Sequence, residues 1–236
     1  MSTIIEYAPR LWEGLIVTLQ LLVLGSALAL VIAFAAGLGR MSRNPVIRFP
    51  FAAFIEVFRG TSMIVQLFWA FYALPFLGLE LPAFQVGVAV LALNEGAYAA
   101  EIVRGAIKSR PTGQTEACVA LGIGPVTRMR RILIPQSIPA MLPPFGNVLV
   151  DLFKNTSLVA TITVLDFTYM GLEVRTNTGE TTAVFITLLV VYFLISMVLW
   201  FMMKWFERRF AIDRTKKASP PKLWAIARPG GGGVGA

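Results

Sequence analysis

The chain has 236 residues, 56% hydrophobic and 14% charged, with a formal net charge of +8 and a mean hydropathy of +0.71. This composition marks an integral membrane protein, and the length leaves no room for a large soluble domain beside one membrane domain. The lack of any His and the single cysteine, Cys118, exclude His-based catalysis, His-ligated metal sites and an internal disulfide.

Five apolar segments come close to the ~20 residues needed to cross a bilayer as a helix. They lie at about 12–39, 50–75, 84–107, 138–162 and 183–203. The first is too long for the apolar region of a signal peptide and follows no basic stretch, so no removable leader is expected. The fourth is interrupted by Pro139, Pro143, Pro144 and Lys154. Such prolines are tolerated where neighbouring helices satisfy the freed carbonyls. Trp12, Trp69 and Trp200 read as interface anchors or packing residues.

Charge predicts the orientation. Arg40, Arg43 and Arg48 follow the first segment. Arg104, Lys108, Arg110, Arg128, Arg130 and Arg131 lie in or beside the loop after the third. Lys204, Arg208, Arg209 and the basic residues of the tail follow the fifth. The opposite side carries only Arg10 and Arg175, with a surplus of acidic residues. The positive-inside rule therefore predicts an all-α membrane protein of five transmembrane helices, with its N-terminus outside and its C-terminus in the cytoplasm. Basic residues that flank apolar runs also argue against a nucleic-acid partner. The expected division is a membrane domain at 1–210 and a basic, Gly/Pro-rich tail at 211–236, read as disordered. No internal repeat is evident, which weighs against a self-contained secondary carrier.

The half-polar, basic stretch 113–135 stands apart from its surroundings. It predicts two short helices. Thr112 can cap the first, and Pro111 bars an earlier start. Gly124 and Pro125 end that helix and open the second, and Pro135 ends the second. The result is a compact knob held outside the bilayer. An amphipathic helix resting on lipid headgroups would carry the same pattern.

Charged groups at membrane depth are costly and read as functional by default. Glu56–Arg59, Glu101–Arg104 and Asp151–Lys154 each stand three residues apart, a spacing that lets them neutralise each other on one helix face. Glu95 has no basic residue three or four positions away. It is the strongest candidate for meeting water, a ligand's ammonium or a second subunit. Asn94, Glu95, Tyr98 and Glu101 lie near one helical stripe. Gln66, Asn155, Thr156 and Ser157 add neutral hydrogen-bonding capacity, which suits a polar zwitterion and equally suits bonds between helices.

The order of motifs resembles a known family. Glu116-Ala117-Cys118, then Gly122, then Ile134-Pro135 is similar to the cytoplasmic coupling loop of permease subunits of bacterial ABC importers. Further stretches resemble the polar amino acid uptake branch: 58–68, 97–107, Gly113-Gln114, Ile134 to Gln136, Leu142-Pro143 and Lys154 to Leu158. Ser62 and Asn155 depart from that branch, which commonly has Pro and Asp there. Ectoine and hydroxyectoine uptake permeases are similar as well. The resemblance implies a non-enzymatic permease of the bacterial inner membrane. Its implied partners are ABC ATPase subunits, a second permease subunit (a further copy or a relative) and an extracytoplasmic solute-binding protein. Glu116, Ala117, Cys118, Gly122 and Pro135 would couple to the ATPase. Arg59, Gln66, Glu95, Tyr98, Glu101, Lys154, Thr156 and Ser157 are the candidates for the pathway. No Gly-x-x-x-x-Gly-Lys-Ser/Thr loop occurs, so ATP is expected on the partner ATPase. The competing reading is a self-contained carrier or channel for small polar solutes.

Overall fold

Long apolar runs leave the backbone few partners but itself, and the described residues contain helices and no strand. The computed structural model describes residues 6–210; the predicted tail at 211–236 lies outside them. Helix α1 spans Ala8–Arg40, with Pro9 in its first turn. Asn44 then caps α2, Pro45–Gly60, by accepting from the Val46 N–H at 2.9 Å. Helix α3, Met63–Phe68, runs on through a π-helical turn at Trp69–Ala73 and a 3₁₀ turn at Leu74–Leu77. Helix α4 is Ala83–Lys108 and α5 is the short Thr112–Ala120. Helix α6, Pro125–Arg128, passes through a second π-helical turn at Met129–Leu133 into α7, Ile134–Asn155, which ends in a 3₁₀ stretch at Thr156–Ile162. Helices α8, Phe167–Thr178, and α9, Thr181–Phe210, follow.

Three of these helices, α1, α4 and α9, are long and apolar enough to cross a membrane. The number rises to five if each of two bent pairs is one span. The predicted segment at 50–75 is not one straight helix. It breaks between Gly60 and Met63, where α2 and α3 meet at 108°, because Thr61 and Ser62 adopt extended backbone. The predicted segment at 138–162 starts earlier, within a helix that runs from Pro125 to Ile162 and meets α8 at 51°.

Two local expectations are corrected. Thr112 is the first residue of α5 rather than its cap; Pro111 holds the cap position, with φ −55° and ψ 134°, and no side chain caps the helix. Pro135 does not end the second short helix. Proline lacks an N–H and its ring crowds the preceding turn. Here that turn is the widened one at Met129–Leu133, so the helix continues. The hydroxyl of buried Ser137 donates to the Leu133 carbonyl at 2.7 Å, helping to satisfy the widened turn.

Helices α1 and α4 form the centre, and small residues let them approach. Ala29, Ala33, Ala36 and Gly37 on α1 are buried, as are Ala92, Ala97, Ala99 and Ala100 on α4. A side chain at Gly37 would place its Cβ 2.7 Å from the Ala100 carbonyl oxygen. Only glycine fits there. Around this pair, Leu21, Leu67, Leu91 and Val159 fill one end, and Ala33, Val103, Leu133 and Met141 the other. Helix α8 is tied down by a buried polar knot. Asp166 caps it through the N–H groups of Tyr169 and Thr168, while Thr18 of α1 accepts from the Phe167 N–H at 3.0 Å. Tyr192 of α9 bonds Thr168 at 2.9 Å.

The close contact at Gly37 makes a test. Gly37→Val should lower the thermal unfolding midpoint of the detergent-purified protein by the equivalent of about 1–3 kcal/mol of overpacking. Gly105→Ala, where a Cβ meets open space, should leave the midpoint unchanged or raised. A wild-type midpoint for Gly37→Val would contradict the close approach of α1 and α4.

Candidate functional site

The break between α2 and α3 builds the site. A helix that stops leaves its last carbonyls without partners. The Val57 carbonyl accepts from the Thr61 hydroxyl at 2.8 Å. The Phe58 carbonyl accepts from the side-chain amides of Gln66 at 2.9 Å and Asn94 at 3.0 Å. The Arg59 carbonyl accepts from the Tyr98 hydroxyl at 3.3 Å. The Asn94 amide also donates to Gln66 Oε1 at 3.0 Å, and Gln66 Nε2 donates to Thr61 Oγ1 at 2.7 Å. Gln66 and Tyr98 are thus engaged in holding the break open.

Beside this break lies a polar cleft of about 490 Å³ between the Thr61–Met63 turn, α4 and α7. Asn94, Glu95 and Tyr98 line it from α4, and Asp151, Lys154 and Asn155 from α7. Glu95 is 4% exposed, and its Oε1 accepts from the Asn155 side-chain amide at 2.8 Å. No ion pair involves Glu95 among the described residues. Asp151 and Lys154 face each other at 3.5 Å and are 59% exposed, so this pair sits at the open edge. The Arg59 guanidinium lies 5.2 Å from the centre of the Tyr98 ring. The cleft therefore offers one buried carboxylate, neutral amides, an aromatic face and a loosely paired cation.

The other pathway candidates lie elsewhere. The expected Glu56–Arg59 pair does not form. Glu56 instead pairs with Arg40 at 2.7 Å, because the end of α1 brings that guanidinium across α2. Arg40 also holds Glu101 at 2.8 Å, and Glu101 holds Arg104 at 2.6 Å. Glu101 is a member of this four-residue ionic cluster and does not line the cleft. Thr156 is fully buried and donates to the Phe153 carbonyl at 2.6 Å, while Ser157 donates to the Lys154 carbonyl at 2.8 Å. Both hydroxyls turn back onto their own helix. The part played by Arg40 was missed in the sequence, where it reads as one more flanking cation. Its partners are contributed by two other helices and leave no local signal.

The loop after α4 presents a different surface. Glu116 and Ala117 are exposed, with Val119 (62%), Leu121 (77%) and Val126 (77%). Cys118 is 5% exposed and supports α5 from behind. Gly122 closes α5 with φ +68°, a left-handed conformation that favours glycine. Its N–H bonds the Val119 carbonyl at 3.0 Å, and the Ile123 N–H bonds the Cys118 carbonyl at 2.9 Å. Pro135 sits apart, inside the helix that leaves the loop. Among the described residues no cluster of three His, Cys, Asp or Glu side chains could hold a metal ion.

Long apolar helices, a polar cleft at a broken helix and an exposed short-helix loop together define a membrane transport permease. Residues 14–212 match the binding-protein-dependent transport system inner membrane component family, and the chain belongs to that family. It is 40% identical, over 86% of its length and 87% of the relative's, to a probable amino-acid ABC transporter permease of Sinorhizobium fredii. It is 37% identical, over 89% of its length and 97% of the relative's, to the glutamine transport system permease GlnP of Escherichia coli. Among solved structures it resembles a crystal structure of an amino acid ABC transporter with histidines, at TM-score 0.81 and 33% identity, covering 87% of this chain and 96% of that one. These relatives are transport permeases, not enzymes.

The break also makes a test. Asn94→Ala removes one donor to the Phe58 carbonyl and the donor to Gln66 Oε1. It should destabilise the protein by about 1–3 kcal/mol, the cost of buried polar groups left short of partners. Combined with Gln66→Ala, the loss should be less than the sum of the two single losses. Additive losses in detergent unfolding would show that the two side chains act independently.

Proposed function

We propose that the chain is the permease subunit of an ATP-driven importer for a polar amino acid or an amino-acid-derived compatible solute such as ectoine. The observation that carries this is the cleft. Glu95 is buried against a neutral amide, and the exposed Asp151–Lys154 pair stands beside it on a helix of an apolar domain. Lipid is a poor neighbour for such groups. Water, a zwitterionic solute or a second permease subunit is a good one. The solute's ammonium would meet Glu95, and its carboxylate would meet Lys154 or Arg59. The amino-acid transport named for the relatives supports the same cargo class.

In this reading residues 1–210 form the membrane domain. Each bent pair counts as one span, giving five, with the N-terminus outside and the loop and C-terminus in the cytoplasm. The tail at 211–236 extends from that side. A second permease subunit completes the pore, and an extracytoplasmic binding protein delivers the solute. ATP binds to the partner ATPase. Exposed Glu116, Ala117, Val119 and Leu121 dock into that ATPase, and Gly122 sets the shape of the docking helix. Cys118 supports the docking helix, while Pro135 lies where loop and α7 join. The absence of an evident repeat and the prominent loop disfavour a self-contained carrier.

Uptake by proteoliposomes holding the full transporter and its binding protein tests this. Wild-type complex should take up solute only with ATP, and Glu95→Gln should cut uptake at least several-fold while complex yield and basal ATP hydrolysis stay near wild type. Uptake by this chain alone, without an ATPase, would instead favour a carrier. For orientation, a reporter fused after Met203 should be cytoplasmic and one near Glu80 external. The reverse result would overturn the orientation, and both reporters on one side would overturn the five-span arrangement.

A further inference from the structure

The docking helix α5 joins its neighbours through non-helical links at both ends. Helix α4 finishes at Lys108, and the Ser109 and Arg110 N–H groups close its last turn onto the Gly105 and Ile107 carbonyls at 3.0 and 3.2 Å. Pro111 then takes extended backbone, with ψ 134°, and the chain leaves in a new direction as α5. Beyond α5 lies the turn at 121–124, after which α6 runs through the widened turn into α7. The backbone alone therefore leaves the bearing of α5 loosely defined.

Among the described residues, one side-chain hydrogen bond joins the two ends of this loop. Arg110 Nη1 donates to the Gln136 carbonyl of α7 at 3.3 Å. Its Nη2 donates to Ser109 Oγ at 3.4 Å, and that hydroxyl donates to the Ala106 carbonyl of α4 at 2.9 Å. One guanidinium thus links the backbone of α4, through Ser109, to the backbone of α7. Beside it, Ala106 and Ile107 belong to the same apolar cluster as Leu133 and Met141. Apolar contact is non-directional, whereas a guanidinium presents its donors in a rigid plane. Arg110 is the directional part of the junction. Stability alone does not account for it. Arg110 Nε and Gln114 Oε1 are buried, and neither has a hydrogen-bond partner among the described residues. Arg110 also makes no ion pair among them. A buried donor and a buried acceptor left unpaired are each costly, and keeping them calls for another reason. We propose that Arg110 is a positioning residue of the loop: it fixes the bearing of α5 against α4 and α7, so that a displacement of the docking helix moves both. This rests on the coupling role given to the loop above.

Two measurements test the proposal, and only the second depends on that role. In hydrogen–deuterium exchange of the detergent-purified chain, Arg110→Ala should speed exchange of the 109–124 amides by about five-fold, the factor one hydrogen bond contributes. Exchange in α1 and the thermal midpoint should stay near wild type, because the unpaired Nε is removed with the tie. In proteoliposomes holding the full transporter and its binding protein, the same variant should raise the ATP hydrolysed per solute taken up by about three-fold, within the factor by which the loop is loosened. The solute concentration for half-maximal uptake should not change. Arg110→Lys, which keeps a charged donor, should restore part of both effects. If Arg110→Ala does not assemble, Arg110→Gln takes its place. Wild-type exchange in the loop would overturn the tie, and equal acceleration in α1 would reduce it to general stability. Faster loop exchange with an unchanged ratio of ATP to solute would overturn the coupling role. If the wild-type complex shows no ATP-dependent uptake, the reading of the chain as an ATP-driven permease fails, and loop exchange alone decides whether Arg110 positions α5.

Discussion

At the end of α2, the carbonyls of Val57, Phe58 and Arg59 lose their helical partners within an apolar segment, and side chains of Thr61, Gln66, Asn94 and Tyr98 replace them. Without water, each unsatisfied group would cost several kcal/mol. The 108° bend exists because these bonds offset that cost. The bend in turn opens the space beside Glu95 into which the Asp151–Lys154 face of α7 looks. The polar lining of the cleft and the support of the bend are thus partly the same residues. Asn94 and Tyr98 serve both, so the site is held by the bonds that form it.

The remainder of the fold is organised to keep α4 fixed. Its small residues seat α1, and the Arg40 cluster locks the far ends of α1, α2 and α4 together. Neutralising Glu101 with two guanidiniums removes a charge that would otherwise be costly beside apolar helices. The knot around Asp166 does the same work at the opposite end of α1, using a carboxylate as a helix cap. Polar groups therefore sit at helix ends and breaks, and the middle of the α1–α4 contact is left to alanine and glycine.

Much of this was legible in the sequence, and the reasons differ by residue. Helices α1 and α9 follow from nearly uninterrupted apolar runs and α4 from a run that stays apolar on balance despite Glu95 and Glu101, and their observed bounds lie close to the predicted ones. The short-helix loop was legible from Pro111, Gly124 and Pro125. The solitary character of Glu95 could be read from spacing, but its partner Asn155 stands sixty residues away and had no local mark. The break at Thr61 contains no proline and depends on α4 to satisfy it; Gly60 and Ser62 are residues that end and start helices, but within an apolar run that signal was passed over. Pro135 misled because a rule about one residue ignores the turn before it. Glu56 misled because neighbours at helical spacing lose to a better-placed guanidinium from another helix.

The widened turn at Met129–Leu133 has a consequence in chain length. A π-helical turn accommodates one residue more than an α-helix needs for the same advance. Each helical residue turns the chain by about 100° and advances it 1.5 Å. The surplus residue is taken up within that turn, so Val126 and the rest of the loop keep the bearing relative to α7 that a regular helix one residue shorter would give. A one-residue deletion inside the turn would close it into a regular α-helix and leave the aim of the loop nearly unchanged, whereas a deletion in the regular part of α7 would re-aim the loop by about a quarter turn. Among homologous chains, a one-residue difference in length between Pro125 and the body of α7 should therefore fall at this turn.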